Sequence, residues 1–291
     1  MAESDLFQSD VLAKVLSTFD EAPGLAGVLL IGSAGSGRAD YFSDLDLLCL
    51  WDEILERPKR YLALRALSES DRLSPQLLRH ERMELDRLRV GDREVELMHV
   101  TIAAIERVIE QVVVQQDVER YSPDRYGFWS PLSWLQSGLA LSDPDGRVLE
   151  IQGRLRRLPD DLIEKMVGQQ LAALKLPVLY HLHKAAMRGD GAFLHTVLDD
   201  VMGHLMRAIF ALNGRFYPGA RWLAQELATL RYQPDRLYER LIGMFTTSPQ
   251  FARDIPPQMQ QLVRETALLV RPWFPDAVPA WTLGTPAPAQ R

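Results

Sequence analysis

Residues 27–50 read GVLLIGSAGSGRADYFSDLDLLCL, and the residue order in this stretch decides how the rest of the chain is organised. The run through Ile31 is apolar and β-prone, as a buried strand is. It ends in Gly32-Ser33, a small polar turn follows through Gly35 and Gly37, and Ser43-Asp44-Leu45-Asp46 opens a second apolar run. Residues two apart on a strand point to one face, so Asp44 and Asp46 are expected to present their carboxylates together. Clustered oxygen ligands of this kind hold hard divalent cations. The Gly-Ser turn just ahead offers backbone N–H groups and a hydroxyl to a phosphate, and glycine lets a ligand come close to the backbone. A strand entry with two solvated carboxylates is the competing reading. It leaves unexplained why aspartate, depleted in strands, occurs twice at the mouth of an apolar one.

Downstream, RMELDRLRV and REVELMHV flank Gly91-Asp92, a dipeptide suited to a two-residue hairpin turn. In that register Val90 faces Arg93, Arg89 faces Glu94 and Arg87 faces Glu96. Glu94 and Glu96 share a face opposite Val95 and Leu97. A third strand laid beside the second would deliver another carboxylate to the Asp44/Asp46 face. The same register sets Glu96 against Arg87, and cross-strand ion pairs are an ordinary stabilising device.

Around these strands the pattern turns helical. Leu6, Val11, Leu12, Val15, Leu16 and Phe19 fall on one side of a helix before Pro23-Gly24. Pro58 opens a helix expected to run to about Ser68, and Thr101 caps one carrying Ile102, Ile105, Val108, Ile109 and Val112. Ser142-Asp143-Pro144-Asp145-Gly146 is a turn signal. From Pro159 onward helices are expected at about 160–188, 191–212, 219–230, 234–247 and 256–271, the first interrupted by Pro177. The fold class is therefore α+β, a small mixed-sheet core at 1–155 followed by an all-helical domain at 156–273. Residues 274–291, rich in Pro and Ala, read as a flexible tail.

The chain has 291 residues, 33 basic and 39 acidic, for a formal charge of −6. That balance argues against gripping an extended nucleic acid. Its single cysteine, Cys49, excludes an intramolecular disulfide. The acidic start MAESDLFQSD does not read as a secretory signal, and no apolar run approaches the roughly 20 residues that span a bilayer. A cytoplasmic protein without membrane contact is expected.

Gly32-Ser33, ten residues, then Asp44-Leu45-Asp46 resembles the signature of the nucleotidyltransferase superfamily, the polymerase-beta-like fold. Val95-Glu96-Leu97 is similar to its third acidic strand, although many members have aspartate there. Small bacterial members that adenylylate antibiotics also place a helical domain after the core. The resemblance implies a Mg2+-dependent transfer of a nucleoside monophosphate, AMP from ATP, to a hydroxyl with release of pyrophosphate. It implies Asp44 and Asp46 as metal ligands, and Gly32 and Ser33 as contacts of the β and γ phosphates. Glu96 would complete the metal shell or serve as general base. The acceptor would be a small molecule held between core and helical half, with a homodimer possible. Alternatives are adenylylation of a protein partner, as in antitoxin-like relatives, and a catalytically silent nucleotide-binding module.

In the helical half, Lys184 and Arg221 resemble basic residues that serve the nucleotide in related enzymes. An exposed lysine and a helix connection stapled by aromatics are the plain alternatives. His181 and His183 are two apart on a helix and so do not share a ligand.

Overall fold

The computed structural model describes residues 3–19, 22–40, 43–65, 67, 76–77, 83–91, 93–118 and 131–284. The chain falls into two compact units, Met1–Gln115 with Pro131–Arg156, and Gln116–Ser130 with Arg157–Arg291.

The first unit is built from α1 (Glu3–Phe19), β1 (Leu25–Leu30), the short turn α2 (Gly32–Gly35), β2 (Leu45–Trp51), α3 (Arg57–Arg65), β3 (Gln76–Leu77), β4 (Met83–Val90), β5 (Arg93–Thr101), α4 (Ile102–Ile109), α5 (Pro131–Ser137), β6 (Leu139–Ser142) and α6 (Arg147–Leu155). Its six strands lie in the order β3-β4-β5-β2-β1-β6. Only β2 and β5 pair in parallel; the other neighbours are antiparallel. The sheet is thus mixed and the fold α+β. The expected hairpin register holds at every pair, Val90 with Arg93, Arg89 with Glu94 and Arg87 with Glu96. Gly91 carries a positive φ of 62°, as the turn requires, and Asp92 lies outside the described residues.

One face of the sheet presents Val28, Leu30, Leu45, Leu47, Cys49, Trp51, Leu88, Val90, Val95 and Leu97 to α1, through Val11, Val15 and Phe19, and to α3, through Leu64. This is the period-two pattern of half-buried strands meeting the 3.6-residue pattern of amphipathic helices. On the other face Gly27 packs against Val148 of α6, and Gly138 against Leu29 and Ile31. Thr101 caps α4 by accepting from Ala104 N, as its position suggested.

Several elements of this unit departed from the sequence reading. α3 ends at Arg65, short of Ser68. The sixth strand and α6 went unread, because four half-exposed residues next to a turn carry little strand signal. Asp143 of that turn accepts from Val148 N and Leu149 N and so caps α6 from outside it.

The second unit comprises α7 (Asp160–Ala173), a π turn (Pro177–His181), α8 (Leu182–Arg188), α9 (Gly191–Leu212), α10 (Leu223–Ala228), α11 (Leu237–Phe245), α12 (Ile255–Val270) and α13 (Ala280–Leu283). α9 is its axis, with Leu194, Leu198, Val201, Leu205, Ile209 and Leu212 buried at helical spacing against α7, α8, α11 and α12. Pro177 splits the first helix as its missing N–H dictates. Residues 274–284, expected within a flexible tail, instead form a 3-10 turn and α13. Ala277 is buried against Gly168 of α7, and Thr282 is buried too. No helix among the described residues is long and apolar enough to cross a membrane.

Candidate active site

The pairing of β2 with β5 creates the site. Residues opposite one another in this parallel ladder include Asp46 and Glu96, which therefore project from the same face on strands about 4.8 Å apart. Asp44 stands one residue ahead of β2 and is partly exposed, as are Asp46 and Glu96. Leu45, Leu47 and Cys49 alternate with these carboxylates into the opposite, apolar face. A strand can carry acid on one side only because the other side anchors it.

Gly32 touches Asp46 directly. Its φ is +64°, and a Cβ built there would run into Asp46 Oδ2. Glycine is demanded both by the backbone conformation and by the approach of the carboxylate. Ile31 N donates to Asp46 O at 3.0 Å, which ties the end of β1 to the acidic strand. Ser33 follows on the α2 turn, where Gly35 N reaches Ile31 O at 3.0 Å and Ser36 N reaches Gly32 O at 3.2 Å. Ser36 Oγ donates to Gly32 O and Ser33 O. The Gly-Ser segment is thus wound into a tight turn beside the carboxylates.

Glu96 accepts from Arg87 Nε at 2.5 Å, so the cross-strand ion pair of the plain reading is present. Among the described residues no three His, Cys, Asp or Glu side chains converge into a metal cage. Mg2+ in phosphate-transfer sites is commonly held by one or two carboxylates together with substrate phosphates, and such a site needs no cage of protein ligands.

Arg93 was not singled out from sequence. It opens β5 and is buried, and its Nη1 donates to Asp40 O and Ser43 O, both at 3.2 Å. Ser43 Oγ donates to Asp40 Oδ1 at 2.8 Å and accepts from Asp40 N at 2.9 Å. The segment entering Asp44 is therefore pinned from the third acidic strand. The Asp-x-x-Ser spacing signalled a local turn; nothing in the sequence signalled its long-range partner.

A second polar group lies on the α1/α3 face of the sheet. Arg60, 1% exposed, donates from Nε to Asp86 Oδ2 at 2.7 Å and pairs also with Glu84. Trp51 Nε1 donates to His99 Nδ1 at 3.1 Å, so the His99 proton sits on Nε2, which is 3.1 Å from Asp86 Oδ2 but off the line of a well-aligned hydrogen bond. Burial holds His99 below its ordinary pKa despite the Asp86 carboxylate. Asp86 is pushed up by burial, yet the Arg60 guanidinium and the His99 ring beside it outweigh this and leave it at about 2. Burial beside Asp86 raises the Cys49 thiol to about 12, so it is inert as a nucleophile.

Lys184 and Arg221 lie in the helical unit. Lys184 Nζ sits 5.1 Å above the Tyr180 ring and 3.3 Å from its hydroxyl. Arg221 is exposed, just ahead of Trp222, whose φ is +57°.

A family model described as Domain of unknown function (DUF4037) matches residues 129–223, a stretch that begins after β5 and runs into the helical unit. No curated protein matches. Three solved structures align with the chain at low identity. A nucleotidyltransferase-like protein from Exiguobacterium sibiricum 255-15 aligns at 11% identity over 91% of this chain and 78% of that one, with a TM-score of 0.44. Spectinomycin adenyltransferase AAD(9) from Enterococcus faecialis, solved with ATP and spectinomycin, aligns at 11% identity over 92% and 98%, with a TM-score of 0.32. CdnC of E. coli MS115-1, in complex with HORMA-deltaN, aligns at 14% identity over 94% and 90%, with a TM-score of 0.26.

Proposed function

We propose that the chain is a metal-dependent nucleotidyltransferase that moves a nucleoside monophosphate, AMP from ATP, onto a hydroxyl of a small-molecule acceptor and releases pyrophosphate. The supporting observation is the parallel register that sets Asp46 beside Glu96, with Gly32 closed against Asp46. Asp44 and Asp46 offer hard oxygen donors on one strand entry, a donor set that fits Mg2+. Bound there, the ion would supply charge neutralisation for the triphosphate and for the attacking and leaving oxygens.

In this reading the protein's own residues do the rest. Gly32 and the N–H groups at the very start of the turn receive the terminal phosphates, because Gly32 carries no Cβ to shield the backbone. Ser33 adds a hydroxyl. Glu96 accepts the proton of the acceptor hydroxyl, and the Arg87 guanidinium beside it keeps the carboxylate oriented across the strands. Lys184 and Arg221 are proposed nucleotide contacts from the helical unit. The acceptor is proposed to be held by that unit as well, which makes residues 156–273 an acceptor-binding domain.

Isothermal calorimetry with Mg-ATP, and pyrophosphate release with panels of small alcohols, test the reading. Asp44→Asn combined with Asp46→Asn is expected to abolish Mg-dependent triphosphate binding; unchanged binding would overturn the proposal. Glu96→Gln is expected to abolish transfer while largely sparing binding, and an equal loss of binding would move Glu96 to the metal shell. Label passing from ATP onto a polypeptide instead would make the acceptor a protein.

A further inference from the structure

The ladder that sets Asp46 beside Glu96 is weakly specified by its apolar residues. Leu47 to Trp51 of β2 and Leu97 to Val100 of β5 are all buried. A shift of β5 by two residues keeps every side chain on its own face. It would set Leu47 opposite Val95 and Cys49 opposite Leu97, apolar against apolar, and would bring Glu94 instead of Glu96 beside Asp46. Burial alone does not choose between the two glutamates.

A buried polar chain does distinguish the registers. Trp51 Nε1, at the end of β2, donates to His99 Nδ1 of β5 at 3.1 Å. His99 Nε2 lies 3.1 Å from Asp86 Oδ2 of β4, and Arg60 Nε of α3 donates to the same oxygen at 2.7 Å. Arg60 Nη1 then donates to Leu55 O at 2.5 Å, four residues after Trp51. The chain thus leaves β2 at its last residue, crosses the β4–β5 hairpin and returns to the segment that follows β2. Trp51 and His99 are 0% exposed, Arg60 1% and Asp86 5%. Charges buried this deeply add little net stability over apolar residues of the same volume, and their best-attested use is to fix a register. A slip of two residues moves the hairpin by about 7 Å along β2. Arg60 could then hold Asp86 or Leu55 O, but not both.

We propose that Trp51, His99, Asp86 and Arg60 are positioning residues that lock β5 in the register placing Glu96, and not Glu94, beside Asp46. The consequence for transfer rests on the roles proposed above for Asp46 and Glu96. The register itself does not, and it is measured without nucleotide.

Register partners on neighbouring strands lie within the Cα separation that a disulfide spans, whereas residues offset by two are about 8 Å apart and beyond it. In a Cys49→Ala background, Asp46→Cys is combined with Glu96→Cys or with Glu94→Cys, the protein is oxidised, and the bridged fraction is read by mass spectrometry. With the polar chain intact, only the 46–96 pair is expected to bridge. Arg60→Met with Asp86→Leu and His99→Leu exchanges the group for apolar residues of similar size. This triple variant is expected to keep a cooperative urea transition and to raise the bridged 46–94 fraction about fivefold or more. Trp51→Phe with His99→Leu leaves the Arg60–Asp86 pair in place and is expected to raise it less. His99→Gln, whose amide can accept from Trp51 and donate to Asp86, is expected to hold the 46–96 register, which a packing role for the ring would not predict. Should the triple variant not unfold cooperatively, the Trp51→Phe, His99→Leu variant decides. Folded apolar variants that bridge only 46–96, a His99→Gln variant that slips, or a parent that bridges both pairs overturns the proposal.

Discussion

At Gly32 a hydrogen stands where any other residue would place a carbon against the Asp46 carboxylate. Gly32→Ala is expected to cost about 1–2 kcal/mol from the left-handed backbone alone. It should also weaken Mg-ATP binding, since Asp46 or the turn has to move. Urea unfolding and calorimetry on the same variant measure the two effects. The Arg60, Asp86 and His99 group makes a different prediction, concerning pH. Asp86 is held at about 2 against an ordinary 3.8, so the stability it contributes is full above about pH 4 and is lost as pH falls toward 2. His99 is depressed by burial, so the unfolded chain takes up its proton first and stability declines as pH drops below about 6.5. The urea midpoint is therefore expected to be flat near pH 7–8, to slope down below about 6.5 and to fall further below about 4. Asp86→Asn strips Arg60 of its best partner and is expected to cost about 3–5 kcal/mol at pH 7, because a buried guanidinium is left under-compensated.

Among the elements, β5 carries two tasks at once. It sets Glu96 beside Asp46 and, from its first residue, holds the segment leading into Asp44 through Arg93. Arg93→Ala is expected to raise the Mg2+ concentration for half-maximal triphosphate binding by about tenfold or more, the size of effect seen when a supporting residue behind metal ligands is removed. Arg93→Lys keeps the charge but offers a point donor where two carbonyls are now reached, so an intermediate value is expected. A titration of binding against Mg2+ at fixed ATP checks both. Binding unchanged in Arg93→Ala would confine the residue to stability. The pairing partner of β5 was legible only as a possibility. Alternation fixed which face each glutamate takes, and the hairpin register followed from Gly91-Asp92. That β5 lies parallel to β2 depends on α3 and the shared apolar face, which no local pattern encodes.

For the whole molecule, each unit has its own core, and the acidic site belongs to the first. A non-hydrolysable ATP analogue with Mg2+, at about a hundredfold over its Kd, is expected to stabilise the folded state by about 2.7 kcal/mol. In hydrogen exchange the added protection should fall on β2, β5 and the 32–37 turn. Protection confined to α9 would place the nucleotide elsewhere. By itself the sequence determined the strand, turn and acidic-strand succession of 27–50, the hairpin register, the cap at Thr101, and the helical character after Pro159. These rest on period, turn chemistry and capping, all of which act within a few residues. Only the tertiary structure decided that Asp46 and Glu96 are register neighbours, that Arg93 reaches back to residues 40 and 43, and that residues 274–284 pack on α7 and α12. It alone joined Trp51, His99, Asp86 and Arg60 into one buried chain. Such contacts join residues far apart in the chain, and which of them form is settled by how the elements bury their apolar faces together, a property of the folded whole.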